Sequence, residues 1–147
     1  MSTIVGTNIE VTNIKYDSDT TSMIISNTGQ ITAQGEGTAT TNLQQGLAKV
    51  WCSATIATNT HTIQDSLNVT SLTDGGAGIT SVVIANDMSN DDYAVSACLG
   101  VSGARLFASL NANSDIATGS YKMNSINYAG GFEDYDNFGS SIHGDLA

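Results

Sequence analysis

Few side chains in this sequence can do chemistry. His61 and His143 are its only imidazoles, and Cys52 and Cys98 its only thiols. Nucleophilic catalysis needs an imidazole within reach of a hydroxyl or thiol and oriented by a third group, and Gly-x-Ser-x-Gly is the usual local sign of such a nucleophile. None of the many serines sits in that elbow. His61 lies in a Thr/Asn-rich stretch that reads as a turn, and His143 lies near the end of the sequence, so both are expected to make polar contacts rather than to act as bases. Cys52 and Cys98 lack C-x-x-C spacing and fall inside apolar, strand-like runs, so both are expected to be free, buried thiols. No catalytic residue, metal site or cofactor is expected.

The carboxylates come closest to a ligand pattern. Asp134, Asp136 and Gly139 match the first, third and sixth positions of an EF-hand loop, and Asp145 stands at the twelfth. Phe138 occupies the fifth, where an oxygen ligand belongs, and no helices flank the segment, so a solvated loop is the better reading. Gly75-Gly76-Ala77-Gly78 lacks the helix that would make it a phosphate cradle and reads as a hairpin loop. Paired carboxylates for glycoside hydrolysis would need a sugar platform, which one Trp and few Arg do not supply. The sequon Asn68-Val69-Thr70 is expected to be accidental, because Met1 to Gly6 contains neither a basic nor an apolar leader segment.

The elements that would position these residues follow from composition. Only 12% of the residues are charged, the sequence has no Pro and 15 Gly, and Ser, Thr and Asn fill roughly a third of it. Ser and Asn bond their own backbone, Thr loses rotamers in a helix and Gly costs backbone entropy, so helices are disfavoured and an all-β fold is expected. Four Lys and Arg against 14 Asp and Glu give a formal charge of −10. Phosphate backbones and anionic bilayers repel such a chain, so neither nucleic acid nor membrane is an expected partner.

The chain divides near Gly46. Residues 1–45 carry short apolar dashes in a polar matrix, at Ile4, Val5, Ile9, Val11, Ile14 with Tyr16, Met23-Ile24-Ile25 and Ile31. They read as an extended N-terminal arm holding one hairpin about Ser26-Asn27-Thr28-Gly29, with a linker at 35–42. From Leu47 the period becomes two: Ala48, Val50, Cys52, Ala54 and Ile56 share one face, and Lys49, Trp51, Ser53 and Thr55 the other. Further strands are expected at Ile63–Val69, Ile79–Ala85, Tyr93–Leu99, Arg105–Leu110, Ser120–Tyr128 and Asn137–His143, with at most one helical turn near Asn42–Gly46. Short strands at this spacing make residues 46–147 an antiparallel β-sandwich. Among the late aromatics, Tyr121 and Phe138 read as core. Phe132 and Tyr135, beside the Gly130-Gly131 turn, read either as core or as rings offered to a partner or a saccharide.

Several ordered strings resemble a known family. Gly46-Leu47-Ala48-Lys49-Val50-Trp51 and Ile63 through Gly78 resemble the G-L-A-K-A-W and I-R-D-S-F-N-V-S-S-I-T-D-N-G-T-G strings of tailed-bacteriophage virion proteins. Asp87 through Val95 and Ser140 through Asp145 are similar to two further segments of that family, and Ile25 through Thr32 resembles a short unit near the start of phage fibre and decoration proteins. Gln64 stands where the family has Arg, Ser89 where it has Pro, and Cys52 follows the Trp. The resemblance implies a non-enzymatic virion protein, a homotrimer on the outer capsid surface. There it would be a cement or decoration protein bound to the major capsid protein, with contacts through Ile4, Val5, Ile9, Val11, Met23, Ile24 and Ile25. The alternative is a tail-fibre protein that binds a host-surface glycan through Phe132 and Tyr135. A tailspike-like depolymerase ranks behind both.

Overall fold

The structure, a computed structural model, describes residues 13–15, 21–34, 39–57, 60–100, 106–110 and 115–147. The chain falls into two units, Met1–Leu47 and Ala48–Ala147. The second is an all-β, antiparallel sandwich. One sheet runs in the order β6 (Thr60–Leu67), β5 (Val50–Ala57), β13 (Asn137–His143), β9 (Ala94–Gly100). The other runs β10 (Leu106–Ser109), β12 (Ser120–Asn127), β8 (Ile79–Ile84), β7 (Val69–Asp74), with the two-residue β11 (Ile116–Ala117) also on β12.

Alternation builds the core from both sheets. Val50, Cys52, Ala54 and Ile56 of β5 are buried in turn, together with Phe138 and Ile142 of β13. Val82 and Ile84 of β8 and Tyr121 and Met123 of β12 join them in one cluster. Removing each such side chain from water stabilises the fold by about 1.5–3 kcal/mol. A polar bond also spans the sandwich: the Tyr121 hydroxyl of one sheet lies 2.6 Å from Ser140 Oγ of the other, buried on both sides. Burial holds the Tyr121 phenol well above its ordinary titration range. Tyr93, just before β9, donates from its hydroxyl to the carbonyls of Ala117 (2.8 Å) and Ser120 (3.0 Å), and burial pushes its phenol up to about 12.

The expected strand at Ile63–Val69 is in fact two. β6 ends at Leu67, and Asn68 takes a positive φ of 58° that sends the chain into the opposite sheet as β7. Asn tolerates that backbone better than most residues. Its amide also clasps Asn86: Oδ1 accepts from the Asn86 backbone at 2.7 Å and from its side chain at 2.9 Å, and Nδ2 donates to the Asn86 carbonyl at 3.0 Å.

The first unit contains β1 (Asn13–Lys15), β2 (Thr21–Ile25), β3 (Ile31–Gln34) and β4 (Thr40–Asn42), hydrogen-bonded in that order as an antiparallel sheet. The hairpin about Ser26–Gly29 joins β2 to β3, and two further short strands flank it. β4 occupies the end of the stretch read as linker. One helical turn, α1 (Leu43–Gly46), follows, capped by Asn42 Oδ1 accepting from the Gln45 N–H at 3.2 Å. Its Gln44 side chain accepts from the Ile31 N–H at 2.8 Å, tying α1 to β3.

Candidate functional site

The register of the first unit gathers its apolar residues. Met23 pairs with Ala33, Ile25 with Ile31 and Ile14 with Met23, which places these side chains on one face of the sheet. A face of that kind normally lies against a second layer. Yet none of the unit's residues with described burial is buried: Met23, Ile25, Ile31 and Ala33 are intermediate and Ile14 is 47% exposed. Ile24 points to the opposite face and is 40% exposed. The structure thus brings Met23 and Ile25 together and separates Ile24 from them. Ile4, Val5, Ile9 and Val11 lie outside the described residues.

At one end of the sandwich, the β12–β13 connection meets the β7–β8 turn. Asp134 Oδ1 accepts the Gly78 N–H at 2.6 Å, the Ser125 N–H donates to the Gly78 carbonyl, and the Glu133 N–H donates to the Ser125 carbonyl. A side chain at Gly78 has no room: its Cβ would stand 2.5 Å from the Glu133 nitrogen, and φ there is +68°. This connection separates the two aromatics that the sequence grouped. Phe132 is 47% exposed, beside Tyr128 at 80%. Tyr135 is folded inward, its hydroxyl donating to Glu133 Oε2 at 3.0 Å, and burial followed by that carboxylate raises its phenol above the ordinary value.

The EF-hand-like spacing does not become a cation loop. Asp134 and Asp145 flank the seven-residue strand β13, about 20 Å of extended chain, and Phe138 between them is core. Among the described residues no three His, Cys, Asp or Glu side chains come together as a metal site.

Two expectations about reactive side chains are corrected. His61 is not in a turn. It is the second residue of β6, with a side chain 2% exposed and neither ring nitrogen hydrogen-bonded. Cys98 is not buried. In β9 the inward positions are Val95, Ala97 and Leu99, which pack on the core, so the one-residue offset turns Cys98 outward. Its sulfur stands over Gly139 of β13, where an added Cβ would meet it at 2.9 Å. With no side chain at Gly139 and small ones at Ser96 and Ser141, the strands there leave a shallow groove of about 350 Å³. Cys52 is buried, and burial raises its thiol above the ordinary value.

The half-buried face of the first sheet was largely legible: the sequence marks Ile14, Met23, Ile25 and Ile31 as apolar and reads Met23–Ala33 as a hairpin, while Ala33 joins the face only through strand pairing. Neither family models, nor curated proteins, nor solved structures match this chain.

Proposed function

We propose that this chain is a non-enzymatic structural protein of a tailed-phage virion, binding the outer surface of the capsid as a decoration or cement protein. The sandwich is its rigid body and residues 1–47 are its docking element. One observation carries the reading: the sheet β1–β4 aligns Met23, Ile25, Ile31 and Ala33 on one face without burying any of them. Covering such a face with a partner surface gains roughly 25 cal/mol for each Å² of apolar area removed from water. The sandwich has its own buried cluster and needs no such help. The resemblance of the sequence strings to virion proteins suggests the class of partner, the major capsid protein, and the homotrimeric state.

The test uses the full chain and heads of the virus whose genome encodes it. The double substitution Met23→Ser, Ile25→Ser should leave the thermal transition of the sandwich in place and weaken co-sedimentation with heads at least tenfold. Unchanged co-sedimentation sinks the proposal. A second reading, a receptor-binding tail protein, rests on the exposure of Phe132 and Tyr128 at the Gly130–Gly131 turn. It requires Phe132→Ala to slow adsorption to cells while head binding is absent.

A further inference from the structure

His61 and Thr80 are the described residues with buried polar side-chain atoms that lack a hydrogen-bond partner. Both border one carboxylate. His61 Nε2 lies 3.8 Å from Asp74 Oδ1 across the sandwich, and Thr80, which is 1% exposed, is the cross-strand partner of Asp74. Asp74 is the last residue of β7, its side chain is 32% exposed, and its Oδ1 accepts the Gly76 N–H at 2.7 Å.

A buried histidine is ordinarily neutral, because the neutral ring is cheap to bury once its N–H and its lone pair are both matched. Here neither is matched, so the neutral ring also forfeits its hydrogen bonds on folding. A proton turns the lone pair into a second N–H and adds a charge that a nearby carboxylate rewards. Closing 3.8 Å to the 2.7–2.9 Å of a charge-assisted bond takes a movement of about 1 Å. Among the described residues the surroundings offer no competing anion. On β5 the titratable group is Cys52, and on β6 itself Asp65 pairs in register with Ser53 and is exposed. In the connection that meets Ile56, Glu133 accepts from Tyr135, Asp134 accepts from Gly78, and Asp136 is exposed.

We propose that His61 and Asp74 form an acid-operated clasp between the two sheets. In mild acid the protonated ring donates to Asp74 and fastens β6 to the β7–β8 hairpin; above neutrality the ring is released and stays unpaired. The clasp sits at the base of the turn that holds Asp134, so fastening it steadies the end of the sandwich that carries Phe132.

The test compares the full chain with Asp74→Asn, which keeps an oxygen for the Gly76 N–H, and with His61→Gln. At pH 5 an ordinary imidazole is protonated and an ordinary carboxylate ionised, while at pH 8 the imidazole is neutral. The melting temperature at pH 5 minus that at pH 8 should be higher by several degrees in the unmodified chain than in either variant. Identical differences overturn the clasp. A measurement on the unmodified protein stands beside it: a second imidazole N–H resonance of His61, protected from solvent exchange at pH 5 and gone at pH 8, where the neutral ring keeps only one N–H. If no such resonance appears at pH 5, the clasp is equally excluded.

Discussion

Removing the Tyr121 hydroxyl tests how the two sheets are locked. In Tyr121→Phe the ring still fills its wholly buried site, but Ser140 Oγ, in a residue 8% exposed, loses its partner at 2.6 Å. A net hydrogen bond is worth about 1 kcal/mol, and stranding a buried hydroxyl costs about 1–3 kcal/mol, so the expected loss is about 2 kcal/mol. For a domain of about 100 residues that lowers the melting temperature by roughly 10 °C. Ser140→Ala strands the tyrosine hydroxyl and should cost a similar amount. The double variant removes both partners at once, so it should be no less stable than either single variant, a coupling of about 2 kcal/mol in a double-mutant cycle. Urea unfolding followed by fluorescence of Trp51 reads all four proteins. Losses that simply add would show that the bond contributes nothing beyond the space its atoms fill, and the reasoning would fail.

Two further outcomes are expected. Gly76 and Gly78 both have positive φ, at 101° and 68°, but a Cβ meets nothing within 4 Å at Gly76 and backbone atoms at 2.5–2.6 Å at Gly78; Gly78→Ala should therefore cost about 2 kcal/mol more than Gly76→Ala in urea unfolding, and equal costs would remove the case for a close approach there. Burial holds Tyr93 and Tyr121 neutral to higher pH in the folded chain, Tyr93 up to about 12 and Tyr121 also well above its ordinary range, while unfolded tyrosines ionise near 10. Their stabilisation is complete below about pH 10 and is lost as pH rises through the folded values, so unfolding midpoints should fall between pH 10 and 12, and less steeply in Tyr93→Phe.

Strand positions were legible wherever one face is buried. Val50 to Ile56 alternates because its inward residues meet the opposite sheet, and β8 and β13 show themselves in the same way, while in β12 the alternation gives way to three successive buried residues, Met123 to Ser125. β7 was not legible as a strand of its own. Its Val-Thr-Ser-Leu-Thr-Asp carries two apolar residues, and the break before it rests on the backbone of Asn68, which nothing in the letters Leu-Asn-Val distinguishes from a strand interior. His61 failed for a related reason. Thr-Asn-Thr-His-Thr has the composition of a turn, and only the pairing of His61 with Ile56 turns it toward the core. Tyr135 shows the same limit at the candidate site: its neighbours Gly130 and Gly131 signal a turn, but the residue is buried, with its hydroxyl donating to the carboxylate of Glu133 two residues back.

The placement of charge bears on how such a chain meets other proteins. In strands β5 through β13, Asp65, Asp74 and Lys122 are the only Asp, Glu, Lys or Arg. Asp87, Asp91, Asp92, Asp115, Glu133, Asp134, Asp136 and Asp145 all lie in turns and connections. Edge strands with little charge, such as β9 and β10, which have none, and β6 and β7, which carry one Asp each, ordinarily invite pairing with another chain. Here β6 lies beside β7 and β9 beside β10, so each edge of one sheet sits next to an edge of the other where the chain crosses over. The outward residues between those edges include Ser53, Thr55, Ser71, Thr73, Ser81, Ser96 and Ser141, which hydrate well and yield that water at far lower cost than an ion would. Copies of this sandwich would repel one another where acidic loops face acidic loops, and would approach along sheet faces that carry little charge beyond the exposed Asp65 and Lys122. A sandwich with alternating Lys and Glu on its faces would instead lose ion hydration at each lateral contact.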